Sequence, residues 1–163
     1  MRLSFRIKHY FFSAFRELFV HHHGSLEFRA KIFALVIAAN IDSTVEAYII
    51  VKNTGMKIYN NDEDRANLLS LTTKELVRKV KDDNGLDFDT LVEHIQKELK
   101  IVPRYAKKID IDYLLPIVAL SYDEDIHSFQ ENILEFLQQL KTEILHDKKS
   151  QIALSEENLD SKY

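Results

Sequence analysis

A single turn, written twice, sets the plan of this chain. Residues 33–45 read FALVIAANIDSTV and residues 114–126 read LLPIVALSYDEDI. Aligned at an offset of 81, both have an apolar run, a small polar residue (Asn40, Ser121), an apolar or aromatic residue (Ile41, Tyr122) and an aspartate (Asp42, Asp123). Three positions later each has a β-branched residue, Val45 or Ile126. A helix that is apolar all round must be buried all round. An aspartate after it can open the next helix by accepting from that helix's unpaired first N–H groups. The pattern is helix, Asp turn, helix, twice over. It predicts two core helices in equivalent positions about a pseudo-twofold axis.

The rest of the chain agrees with helices. Sandwiches and barrels need many special turns, and 163 residues with only 3 Gly and 2 Pro cannot supply them. The expected fold class is all-α: one compact bundle of about seven helices. Apolar residues make up 45% of the chain, enough for a core without staples. Cysteine is absent, which removes disulfides, thiolate metal sites and a cysteine nucleophile, and fits a reducing compartment.

Apolar periodicity and capping residues predict helices over 3–22, 26–40, 44–60, 63–81, 88–101, 111–121 and 124–147. Ser25, one of Asp42, Ser43 or Thr44, then Asp62, Asp87, Asp110 or Asp112, and Asp123 are the expected helix starts. Thr72 with Glu75 has the spacing of a capping box and signals a break within 63–81. Leu86 and Leu91 fit a hydrophobic staple across the Asp87 cap. In the last helix the buried stripe is read as Phe129, Ile133, Phe136, Leu137 and Leu140. Three segments result: a basic aromatic helix over 1–24, a helical domain over 25–147, and a loose polar tail over 148–163.

The first segment stands apart in charge. Residues 1–31 hold six cations and two anions, so they carry +4 and the remainder of the chain −8. Phe11, Phe15, Leu18 and Phe19 share one helical stripe with Phe12 beside it, while Arg6 and Arg16 lie off it. This pattern suits a helix docked on the body or on a partner, including a second copy in a homodimer. It also suits a helix lying in the plane of an anionic membrane surface. Nucleic acid is disfavoured, because an acidic body repels phosphates. No segment is apolar and long enough to span a bilayer.

Motifs for chemistry are few. G-x-S-x-G, glycine-rich phosphate loops and H-E-x-x-H are all missing. The loop KDDNGLDFD resembles a calcium site, but setting Gly85 as its sixth residue puts Val80 and Leu91 at the first and twelfth ligand positions. Glu-x-x-His occurs at Glu124–His127 and Glu143–His146, as in di-iron bundles. Both fall on one predicted helix, about 28 Å apart, and cannot share a metal pair. The chain therefore reads as a non-enzyme. The remaining constellation is the acidic turns, Asp42 with Glu46 and Asp123 with Glu124 and Asp125. They are either helix caps or carboxylates converging on a hard divalent cation such as Ca²⁺ or Mg²⁺.

In these turns the chain resembles the tellurite-resistance TerB-like family over roughly residues 26–147. That family is all-helical with two repeats, each with an apolar helix, an Asp-Gly turn, an aliphatic residue three past the Asp and a Glu seven past it. Asp42 with Val45 and Asp123 with Ile126 match. Ser43 and Glu124 stand in place of the glycines, and Ile49 and Gln130 in place of the glutamates, with Glu131 one residue beyond. The resemblance implies a bacterial stress-response module that binds a protein partner and a metal on acidic residues. It also implies a cytoplasmic location, peripheral to the inner membrane. No His-Pro-Asp motif of a J domain is present, so co-chaperone activity is not implied.

Overall fold

The computed structural model describes residues 24–161. Helices α1 (Gly24–Ala38), α2 (Val45–Ile58), α3 (Glu63–Lys81) and α4 (Phe88–Ile101) are followed by a 3₁₀ segment (Pro103–Lys108). Helices α5 (Ile111–Val118) and α6 (Glu124–Asp160) complete the chain. Among the described residues the fold is all-α, as the pattern requires. The basic aromatic segment, with Phe11, Phe12, Phe15, Phe19, Arg6 and Arg16, lies outside them.

Helix α1 is the centre. Ile32 to Ile37 are buried in succession, with Leu26, Phe28 and Ala30 before them. It touches α3, α4, α5, α6 and the 3₁₀ segment, so the apolar run from Ile32 to Ile37 is covered all round. Lys31 donates to Glu98 of α4 across 2.8 Å, a pair only 16% and 22% exposed.

Helices α2 and α3 form an antiparallel pair of unusually close approach. A Cβ on Gly55 would stand 2.9 Å from the Ala66 Cα, so only glycine allows this crossing. The Ser70 hydroxyl ties the pair by donating to the Tyr48 carbonyl at 3.0 Å. Asn60 and Asn61 turn the chain between them in the left-handed region. The expected break at Thr72 does not occur. Thr72 and Thr73 are buried inside α3, and the Thr73 hydroxyl returns to the Leu69 carbonyl at 2.7 Å, satisfied within the helix.

The aspartate caps are realised. Asp62 accepts from Arg65 N–H, Asp87 from Thr90 N–H, Asp110 from Asp112 N–H, and Asp123 from both Asp125 and Ile126 N–H. Leu86 and Leu91 are both buried around the Asp87 cap, as a staple requires. Ser25 lies inside α1, which begins at Gly24.

Two readings of the last helix are corrected. In the stripe, Ile133 and Leu137 are buried and Phe136 and Leu140 are half-buried against the core, but Phe129 is 45% exposed with its ring 5.6 Å from that of Phe88, and Gln130 and Leu134 are buried beside the stripe instead. The helix also does not stop at 147. It runs on to Asp160, because no Gly or Pro interrupts residues 117–160 and Ala, Leu, Glu, Gln and Lys favour helix there. The tail is polar and exposed as read, but it is helical rather than loose. Among the described residues no helix is long and apolar enough to cross a membrane.

Candidate functional site

The two acidic turns have different local chemistry. In the first, Thr44 is the N-cap of α2, but its hydroxyl donates to Glu46 at 3.1 Å rather than engaging the helix backbone. The Asp42 N–H donates to Asn40 Oδ1 at 3.0 Å. The cation of this turn is Lys81, from the end of α3. Its ammonium donates to the Ile41 carbonyl at 3.0 Å and to the Ser43 hydroxyl. Burial holds Lys81 below the usual lysine range, and the nearby Asp42 carboxylate partly offsets this. An internal ammonium thus occupies the neighbourhood in which a metal would have to compete.

In the second turn, Asp123 Oδ1 accepts from Asp125 N–H at 2.9 Å and from Ile126 N–H at 3.0 Å. Asp125 is exposed, and Glu131 meets His127 Nε2 at 3.3 Å. The other ring nitrogen, Nδ1, lies 3.2 Å from the Val118 carbonyl. His127 therefore fastens the start of α6 to the end of α5. Glu143 and His146 are exposed, and His146 faces Asp147 at 3.9 Å. Among the described residues no group of three or more His, Asp or Glu stands together as metal ligands would, so Asp42, Glu46, Asp123, Asp125 and Glu131 are not gathered into one such group.

Gln130, seven residues past Asp123, is fully buried. Its Nε2 donates to the Val36 carbonyl at 3.0 Å, and its Oε1 has no hydrogen-bond partner among the described residues. The same side chain lines a cavity of about 10 Å³ with Asn40, Ser43 and Thr44 of the first turn. A buried amide of α6, not a converging carboxylate, thus lies beside the first turn.

A wider concave surface lies elsewhere among the described residues. The C-terminal part of α6 runs beside the end of α4 and leaves a groove of about 570 Å³. Ile101, Val102, Pro103, Ile152 and Leu159 supply its apolar lining, and Arg104, Lys148 and Glu156 its charges. Every residue from 149 to 159 is exposed, and Ile101 is 80% exposed, so these apolar groups face solvent. Ile152 and Leu159 lie seven residues apart on the exposed side of α6, while Leu145, seven residues earlier, is half-buried against the core. Pattern reading missed this groove because it ended the helix at 147.

Comparison with known proteins found no matching family model, no matching curated protein and no matching solved structure.

Proposed function

We propose that this chain is a non-enzymatic helical protein-interaction module whose groove receives an amphipathic helix of a partner protein. The observation that carries the reading is the pair of exposed apolar residues Ile152 and Leu159 of α6, lining one groove with Ile101 and Pro103. An apolar surface with charged residues at its margin is the usual form of a helix-in-groove site. Arg104 and Lys148 favour acidic residues flanking the partner's apolar face.

The paired Asp turns support a TerB-like relationship for the body, and the stress-response setting and cytoplasmic location stand with that likeness. The divalent cation is not carried into the proposal, because Lys81 and the cap bonds of Asp123 already engage the two turns.

A photo-crosslinking side chain at Gln151 tests the reading in cells, against a control at Glu135 on the exposed face of the same helix. Discrete adducts from Gln151 that disappear in an Ile152→Glu, Leu159→Glu double variant are the expected result. Identical adducts from Glu135, or adducts indifferent to the double variant, would overturn it.

A further inference from the structure

Gly24, the first described residue, sits against the side chain of Tyr105: a Cβ built on it would stand 2.8 Å from the Tyr105 hydroxyl. The Phe28 ring, one turn on in α1, lies 5.3 Å from the ring of the same tyrosine. Arg104 meets that ring too, with its guanidinium 5.8 Å from the centroid, and Arg104 lines the groove between the end of α4 and α6. Residues 1–23 therefore join the body beside this groove.

The groove has a body end and a free end. Lys141 donates to the Ile109 carbonyl at 2.7 Å and ties α6 to the body, and the helix then runs outward past Lys148 to Leu159. Between those two lining residues lie about 16 Å of helix, at a rise of 1.5 Å per residue. Ile101, Ile152 and Leu159 are all at least half exposed there. Charge changes along the groove. Arg104 and Lys148 mark its body end, whereas residues 150–159 hold Glu156 and Glu157 and no cation. The last carbonyls of α6 add a negative partial charge at the free end.

We infer that residues 1–23 of this same chain are the resting occupant of the groove, laid antiparallel to α6. At helical rise the stripe of Phe11, Phe15, Leu18 and Phe19 spans about 12 Å, short enough for the lining. The step from Phe19 to Gly24 covers up to about 17 Å of extended chain, enough to pass the Tyr105 ring. The segment holds Arg2, Arg6, Lys8 and Arg16 against Glu17, a net +3. Entered from the body end, the groove sets Glu17 toward Arg104 and Lys148, and Arg6 and Lys8 toward Glu156 and Glu157. A partner helix then binds only by displacing residues 1–23, which act as an internal inhibitor. Occupancy by the segment requires only the groove, whereas its displacement rests on the partner-binding reading.

The chain has no cysteine, so Ala14→Cys gives a single site for a nitroxide at the margin of the aromatic stripe. In the full chain this label is expected to remove most of the methyl NMR intensity of Ile101, Ile152 and Leu159, and to leave Ile49, exposed on α2, sharp. Phe15→Asp in the labelled chain should restore all three signals, and the Ile152→Glu, Leu159→Glu pair should restore Ile101, with helical circular dichroism unchanged. Sharp signals at the three groove residues would overturn the occupant, as would broadening indifferent to Phe15→Asp. Isotope-enriched chains mixed with spin-labelled, unenriched chains should stay sharp; broadening in that mixture would assign the groove to a second copy and overturn the internal occupant. These signals need no partner, so their failure leaves the partner-binding reading standing, while broadening without Gln151 adducts in cells would support the occupant and sink the partner alone.

Discussion

Gln130 on α6 donates to the carbonyl of Val36 on α1 across 94 residues of sequence and 3.0 Å of space. The Val36 carbonyl is in the last turn of α1, where helical carbonyls lack partners within the helix. A glutamine amide fits this place because it can donate, and a carboxylate cannot.

Gln130→Glu should therefore be the harsher substitution at neutral pH, and Gln130→Leu the milder. Leucine leaves one buried carbonyl unpaired, at about 1–3 kcal/mol, and removes an amide oxygen that is itself without a partner. Glutamate adds a buried charge, which raises its folded-state pKa above the unfolded value near 4.3. The glutamate variant should regain stability as pH falls from 7 toward 4.5. Urea unfolding of both variants at the two pH values measures this.

Gly55→Ala should destabilise by about 1–3 kcal/mol even though alanine is the better helix former. The new methyl would meet the backbone of Ala66, and the helices α2 and α3 would have to part. Thermal unfolding of the variant decides the sign: a raised Tm would contradict the close crossing.

The two turn aspartates should separate cleanly. Asp123→Ala removes the acceptor of two N–H groups and should cost about 1 kcal/mol. No cap bond is made by the Asp42 side chain, and Thr44 is the N-cap residue there, so Asp42→Asn should stay within about 0.5 kcal/mol of the wild type. Equal losses in equilibrium unfolding would show that the turns are equivalent after all.

Acid sensitivity should include Asp87. The Thr90 N–H and then the Thr90 hydroxyl hold this exposed carboxyl below the usual aspartate range. Its folded pKa is lower than its unfolded one, so its contribution is complete above about pH 4 and is lost as pH falls through the folded value. Asp87→Asn should flatten that limb of the stability–pH curve. An unchanged limb would show that the cap is not formed in solution.

Ending the chain after Lys148 should leave the melting temperature within a few degrees of the wild type. The residues beyond are exposed to their last described turn and bury no core group. A large drop would mean that the distal part of α6 supports the body.

Much of this architecture is legible in the sequence because its determinants are local. Asp62, Asp87, Asp110 and Asp123 open helices by reaching only two or three residues ahead. The run from Ile32 to Ile37 has no polar face, so its central position follows directly. The failures are the non-local terms. Phe129 outranks Gln130 by hydrophobicity, and nothing near residue 130 announces that Val36 needs a donor. Lys81 belongs to the first turn only because α3 returns to it, 40 residues after Ile41. The length of α6 was different: the absence of Gly and Pro after residue 116 was a readable signal that the polar composition outweighed.

Helix α6 is 37 residues in one unbroken rod, held near Gln130 and again where Lys141 donates to the Ile109 carbonyl at 2.7 Å. Past that second hold it is a cantilever. A load applied at Leu159 acts about 27 Å beyond Lys141, given a rise of 1.5 Å per residue. Such a beam delivers torque to its support, and the nearer support is the Lys141–Ile109 contact, with the buried Gln130–Val36 bond behind it. Mechanical work done on the free end is thus felt first where α6 meets the chain just past the 3₁₀ segment, and only then at the centre of the fold.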